Sequence, residues 1–316
     1  MSRRAPAIAG YRHQALFYGG EPEFVGRIGN FLRDGVKRDE PTLVVVSARK
    51  IDRLRRKLGR DAAGVQFADM ADVGANPARI IPAWRDFVEA NAGSGRAIRG
   101  VGEPIFPERS VDELAESEGH EALLNAAFDD SVPFWLLCPY DTTLLSPIVL
   151  TEAERNHPVL MRGRRETESV TYLGRQAEVA PFTMPLPDAP AEATRVAFEA
   201  ANLHDLRTLV AREAAVAGFS PSRLADLVFS VNEVATNSVR HGGGKGSLLL
   251  WSTGDSLAVE IIDAGLLVGQ PLVGRARPRG STGFGTGLWL VNQLCDLVQL
   301  RSFPTGVVVR LRLRRR

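Results

Sequence analysis

A proline-rich stretch, Ala180 to Pro190, constrains the fold of this chain most. Pro181, Pro185, Pro187 and Pro190 lie too close together for a helix to run through them, because each removes a backbone donor and fixes φ. The stretch reads as a stiff linker or an edge strand. It divides the 316 residues into two parts with different element orders. A chain of this length is expected to build two cores rather than one. The expected boundaries are residues 1–178 for the first domain, 179–194 for the linker and 195–316 for the second domain.

The first part alternates strand-like and helix-like segments. Thr42 to Ser47 is a β-branched run of the kind that fills a buried parallel strand. Ala15–Tyr18, Val65–Phe67, Ala97–Val101 and Val132–Cys138 read as further strands, the last of them closing the series. Between them, Phe24, Ile28, Phe31 and Leu32 recur at helical spacing, as do Ile51, Leu54 and Leu58. Ile80–Val88 and Leu114–Phe128 also read as helices, the latter with an acidic face. Strands alternating with helices predict a parallel α/β sheet.

The second part reads differently. One helix carries Leu203, Leu206, Leu209 and Val210. Ser220-Pro221 supplies an N-cap and a first-turn proline for another, which runs to about Val239 with Leu224, Leu227, Val228, Val231 and Val234 on one side. Strands follow at Ser247–Ser252 and Leu257–Ile262, then a glycine- and arginine-rich stretch, a helix over Leu288–Leu294 and a final strand pair. The last strand alternates a buried face with a basic one. This order predicts an α/β sandwich.

Composition sets limits on function. The 39 basic and 37 acidic residues nearly cancel, which argues against a nucleic-acid binder driven by bulk charge. No apolar run is long enough to span a bilayer, and the basic start, Met1 to Pro6, has no apolar core behind it. A cytoplasmic protein without a membrane partner is therefore expected. Cys138 and Cys295 lie far apart in apolar runs and read as buried free thiols.

The most informative stretch is Asn232 to Gly242. Glu233, Asn237 and Arg240 fall on one helix face, away from the valines. An Asn carbonyl there suits a magnesium ion carrying phosphate, and the Glu can orient or deprotonate a nucleophile. Taken alone, the pair also fits a solvated helix face. Asp263-Ala264-Gly265 ends a strand with a carboxylate able to accept from an exocyclic amine such as adenine's. Gly283, Gly285 and Gly287 form a glycine-rich loop opening into a helix, where free N–H groups favour phosphate. The order of these three signals is stronger than any one of them. Two decoys fall away. Gly242 to Ser247 lacks the first glycine of a P-loop, since Val239 stands there, and reads as a tight turn. His157-Pro158 has no helical hairpin around it and reads as structural rather than phospho-accepting.

The ordered set from about Arg195 to Arg314 resembles the GHKL ATP-binding fold shared by gyrase, histidine kinases and the serine/threonine kinase-type anti-sigma factors. It is most similar to the anti-sigma branch of actinobacteria, through Glu233, Asn237, His241-Gly242 and the run Gly287 to Asp296. The resemblance implies a Bergerat-type sandwich binding ATP and Mg. Glu233 would be catalytic base and Asn237 the magnesium ligand. Asp263 would read adenine with Gly265 beside it, and Gly283, Gly285 and Gly287 would line the phosphates. The chain departs from the pattern at Leu267, which replaces the second glycine of Asp-x-Gly-x-Gly and leaves nucleotide affinity open. Arg275, Arg277 and Arg279 in the lid either grip phosphate or form a solvated loop.

The first part resembles the MEDS sensory domain over about Tyr11 to Met161. The similarity lies in His13 to Tyr18, Phe31 to Gly35, Leu43 to Val46, Gly102-Glu103-Pro104, Glu118 to Leu124 and Cys138 to Asp141. It implies a RecA-like sheet with a degenerate P-loop. The sensor-site candidates are His13, Tyr18, Glu103, Tyr140 and Asp141, each equally open to a structural role. Together the resemblances imply a partner-switching transcription regulator of stress response. It would sequester a sigma factor and phosphorylate Ser/Thr of a STAS-type anti-anti-sigma protein, under control of a sensor that binds a small ligand. Anti-sigma domains of this kind are commonly dimeric, so a homodimer is implied as well. A non-catalytic ATP-binding or docking regulator and a sensor histidine kinase remain as alternatives.

Overall fold

The computed structural model describes residues 10–174, 182–267, 270, 272–277 and 286–315. It divides into two compact units, Met1–Glu178 and Val179–Arg316. Among the described residues, no helix is long and apolar enough to cross a membrane.

The first unit is built on a mostly parallel, seven-stranded sheet. Its elements are β1 (Arg12–Tyr18), α1 (Glu21–Lys37), β2 (Thr42–Val46), α2 (Ala48–Leu58), β3 (Gln66–Asp69), α3 (Met70–Val73), α4 (Ile80–Asn91), β4 (Ile98–Gly102), α5 (Val111–Ala127), β5 (Phe134–Asp141), α6 (Pro147–Asn156), β6 (Val159–Arg162) and β7 (Arg165–Glu168). The strand order is β3-β2-β4-β5-β1-β6-β7, with β7 alone antiparallel to its neighbour. Every residue of β2 is buried, as its β-branched run predicts. Helix α1 starts with Glu21, Pro22 and Glu23, where acids complement free N–H groups, and buries Phe24, Ile28 and Leu32.

Two expectations need correction. The strand series does not end at Cys138, since β6 adds in parallel beside β1 and β7 closes the edge. All four residues of β7 are exposed and polar, so they carry no strand periodicity. The acidic face of α5 is not solvated, because Glu113, Glu116 and Glu121 are buried. Glu113 closes a capping box with Ser110, and the Glu121 carboxylate sits between His13 and His157.

Glu118, on the same helix, has its carboxyl pushed up to about 7 from 4.5 by burial and then by the nearby charge of Glu152. The folded state thus holds a proton that the unfolded state has already lost. This contribution is fully present below about pH 4.5 and is lost as pH rises to about 7. Glu118→Gln is therefore expected to leave the melting temperature at acid pH unchanged and to raise it above pH 7. A thermal melt series over this range checks the prediction, and parallel curves for the two proteins would refute it.

The second unit is an antiparallel, five-stranded sheet carrying helices. It comprises β8 (Thr194–Glu199), α7 (Leu203–Val216), α8 (Pro221–His241), β9 (Lys245–Thr253), β10 (Ser256–Asp263), α9 (Thr286–Leu294), β11 (Leu297–Phe303) and β12 (Gly306–Arg314), in sheet order β11-β12-β10-β9-β8. Leu206, Val210, Leu227, Val231 and Val234 of the helices pack on Leu248, Val259, Ile261, Val309 and Leu311 of the sheet. The proline-rich segment lies along this sheet. The carbonyls of Met184 and Pro187 accept from Arg301 and Arg310 at 2.8 and 2.6 Å. Arg310 also pairs with Glu260, so the basic face of β12 is partly covered rather than wholly solvated.

Candidate functional site

In the second unit the helix face and the strand end converge. Glu233 is half-buried and Asn237, one turn on, is exposed, while Val231 and Val234 enter the core. Gly287 opens α9 against this face, where an added Cβ would stand only 2.5 Å from Glu233 Oε2. A side chain there would push that carboxylate aside. Asp263 ends β10 and is held from two sides. The Ser238 hydroxyl donates to Oδ2 at 2.5 Å, and the Gly265 N–H donates to Oδ1 at 2.7 Å. Side chains at Gly242 or Gly265 would press into the same carboxyl. Asp263 is thus aimed rather than free to rotate. A cleft of about 510 Å³ touches Asp263 and runs towards Glu199, Lys245 and Thr305, but is lined by neither Glu233 nor Asn237.

Ser238 was not among the sequence-derived candidates. Its signal is faint, a buried hydroxyl next to Asn237 whose partner lies 25 residues on. Gly283 and Gly285, with Arg279, fall outside the described residues. Of the other lid arginines, Arg275 is buried and Arg277 places its guanidinium over Trp289 of α9. The Gly274 carbonyl accepts from Asn292 at 2.8 Å, which ties this stretch to α9. Leu267 packs against the core, and its N–H donates to Ser302. The turn is confined to Gly242, Gly243 and Gly244, the last two at φ 89° and 84°, and Lys245 already begins β9. The donor set suits a nucleotide: a fixed carboxylate for an amine, an exposed amide on the helix, and a close backbone approach at Gly287.

The five sensor-site candidates of the first unit do not form one site. Strand alternation separates them, since successive side chains point to opposite faces. Tyr18 and Asp141 lie on one face at the carboxyl ends of β1 and β5, and Glu103 follows β4. Ligands bind parallel sheets at this end. The Tyr18 hydroxyl donates to Glu103 at 2.6 Å, and Lys50 of α2 reaches Glu103 at 2.6 Å and the Tyr18 oxygen at 2.7 Å. Burial pushes the Glu103 carboxyl up, against the pull of Lys50. Burial, then Glu103, pushes the Tyr18 hydroxyl far above its ordinary value. Asp141 is engaged locally by Thr143. Lys50 escaped notice because it sits in a basic run, Arg49 to Lys57, with no mark of its own.

His13 and Tyr140 occupy the other face. The His13 ring lies 4.0 Å from that of His157, and Tyr140 meets His157 edge-on at 5.6 Å. Burial, followed by the charge of Glu121, pushes the Tyr140 hydroxyl up. His157 itself is fully buried.

Comparison with known families agrees with this division. Residues 12–158 match the family model described as MEDS, the methanogen/methylotroph DcmR sensory domain. Residues 196–313 match the histidine kinase-like ATPase domain, which implies ATP binding. No curated protein gives a significant match. Among solved structures, the RsbU and RsbW domains of Rv1364c from Mycobacterium tuberculosis match with 19% identity and a TM-score of 0.31. That match covers 40% of this chain and 33% of the other.

Proposed function

With a MEDS sensory domain and a histidine kinase-like ATPase domain in one chain, we propose that it is a partner-switching regulator of transcription. The first unit, residues 1–178, is read as a RecA-like sensor for a small ligand. Residues 179–194 join it to a GHKL-type ATPase unit at 195–316. That unit sequesters a sigma factor and phosphorylates a Ser/Thr of a STAS-type anti-anti-sigma protein. The observations that support this reading are the close approach of Gly287 to Glu233, one turn before Asn237, and the fixed Asp263 tied to the same helix through Ser238.

Mg-ATP would supply the phosphoryl group and the charge that neutralises it. The residues of the chain then have distinct tasks. Asp263 accepts from the adenine amine. Asn237 offers its side-chain carbonyl to magnesium. Glu233 takes the proton of the attacking hydroxyl, and positioning supplies most of the acceleration. A histidine kinase fits less well, since His157 is inaccessible in the fold and Glu233 holds the position where those enzymes usually carry histidine.

Calorimetric titration of Mg-ATP with Asn237→Ala as control tests the site, and label transfer to a STAS-type substrate tests the chemistry. Glu233→Gln is expected to keep nucleotide affinity within about threefold and to slow transfer by at least about 100-fold, the usual range for a lost general base. Gly287→Ala should also slow transfer, because its methyl group displaces the Glu233 carboxylate. Equal transfer rates in wild type and Glu233→Gln would remove Glu233 from the reaction. Absence of both nucleotide binding and label transfer would leave a docking module.

A further inference from the structure

Four metal-ligating side chains from distant parts of the sequence meet inside the first unit. His13 of β1, Glu121 of α5, Cys138 of β5 and His157 at the entry to β6 each bring one donor atom within 4.8 Å of the others. None is more than 1% exposed. His13 Nε2 lies 3.3 Å from Glu121 Oε2 and 3.4 Å from Cys138 Sγ. His157 Nε2 lies 3.0 Å from the same Glu121 oxygen.

The surrounding hydrogen bonds fix which ring nitrogens carry hydrogen. His157 Nδ1 lies 2.7 Å from the Ala153 carbonyl, which can only accept. Asn125 uses its amide N–H groups on the carbonyls of Ala122 and Asn156, at 3.2 and 2.8 Å. This turns its Oδ1 towards His13 Nδ1 at 3.0 Å. Both Nδ1 atoms are therefore donors, and both Nε2 atoms face Glu121. If both rings are neutral, two lone pairs point at a carboxylate in a dry interior. If both are protonated, two cations with ring centroids 4.0 Å apart share one anion. With His157 protonated and donating to Glu121 the charges balance, and the Cys138 thiol can donate to the His13 lone pair only at a long 3.4 Å. Among the described residues, Glu121 Oε1 makes no hydrogen bond of normal geometry and has His120 Nε2 at 4.0 Å.

A divalent cation would engage the lone pairs of all four converging groups at once. We infer that His13, Glu121, Cys138 and His157 form a buried four-coordinate site for a divalent transition metal of the zinc type. A carboxylate, a thiolate and two neutral imidazoles leave such a site with no net charge. Tetrahedral bonds of about 2.0–2.3 Å place ligand atoms about 3.3–3.6 Å apart, a few tenths from the three separations above, and the remaining pairs lie within 4.8 Å. Asn125 and the Ala153 carbonyl then act as the outer partners that orient metal-bound imidazoles. Coordination releases the Cys138 thiol proton to solvent. The ligands are spread from position 13 to position 157, so no sequence spacing reveals them. The site is independent of the nucleotide reading, and its test uses no ATP.

The full chain is purified from cultures supplemented with zinc or with cobalt(II), without chelators, so that the metal enters as the chain folds. About one equivalent of bound metal per chain is expected, and the cobalt form should show tetrahedral d–d bands with a thiolate-to-cobalt charge-transfer band. Cys138→Ser is expected to abolish the charge-transfer band, while Cys295→Ser keeps it. Because the wild-type spectrum and metal content are read without any substitution, a misfolded variant does not blunt the test. Folded wild-type chain with under about a tenth of an equivalent from both cultures would overturn the site. So would a charge-transfer band that survives in folded Cys138→Ser.

Discussion

Asp263→Ala is expected to lower nucleotide affinity by about 100-fold while leaving a folded chain. A hydrogen bond to a charged group is worth about 1.5–3 kcal/mol, and each 1.4 kcal/mol is a factor of ten. The loss should reach the upper end of this range because the carboxylate is held in place. Ser238 and Gly265 each occupy one of its oxygens and fix its plane. Ser238→Ala loosens only one of these restraints and is expected to cost about tenfold or less. The carboxylate also sets the base. In the proposed role it would accept from an amine, which adenine presents, and would repel the carbonyl that guanine presents at the equivalent edge. Wild-type chain should therefore prefer ATP to GTP strongly, and Asp263→Asn should weaken that preference, because an amide can both donate and accept. Paired titrations of ATP and GTP into the three proteins decide this. Undiminished ATP affinity in Asp263→Ala would place the nucleotide elsewhere.

Much of the scaffold was legible because single segments carry their own period. The β-branched Thr42–Val46 and the valine stripe of α8 need no partner to be recognised. The order of Glu233, Asn237, Asp263 and Gly265 along the chain suggests one site because α8 and β10 are near neighbours in sequence, and that site remains a proposal. What failed was information held between distant residues. Strands β6 and β7 exist because β1 offers an edge at Gln14–Phe17, not because their own residues alternate. The acidic face of α5 gave no sign of its partners, yet His13 and His157 hold Glu121 inside. Lys50 is one cation among many until β1 and β4 place Tyr18 and Glu103 beside it. The proline-rich stretch was read from its missing donors. Its carbonyls, which proline leaves intact, are what Arg301 and Arg310 use to hold it.

Arg99→Met is expected to destabilise the first unit by about 3–5 kcal/mol, the cost of breaking a buried ion pair from one side. Arg99 is only 2% exposed and sits on β4, a central strand. Its guanidinium pairs with Glu40, donates to Asp34 at 2.7 Å and to the Phe31 carbonyl at 2.9 Å. It also stacks over the rings of Phe31 and Trp135, at 4.6 and 5.4 Å. Gly35 of α1 makes room for it, since a Cβ there would lie 2.9 Å from Arg99 Cδ. Methionine restores the volume but strands Glu40, which is largely buried. Replacing Glu40 as well, in Arg99→Met/Glu40→Gln, removes the stranded charge and should recover part of the loss, so the two substitutions will not add. Urea unfolding followed by hydrogen exchange on β2 and β4 measures both terms. A loss below about 1 kcal/mol in the single variant would show that Glu40 finds another partner or water. The same strand runs directly into Glu103, so weakening β4 also loosens the Tyr18–Lys50–Glu103 group. Hydrogen exchange should therefore quicken at residues 100–103 in Arg99→Met and slow again in the double variant.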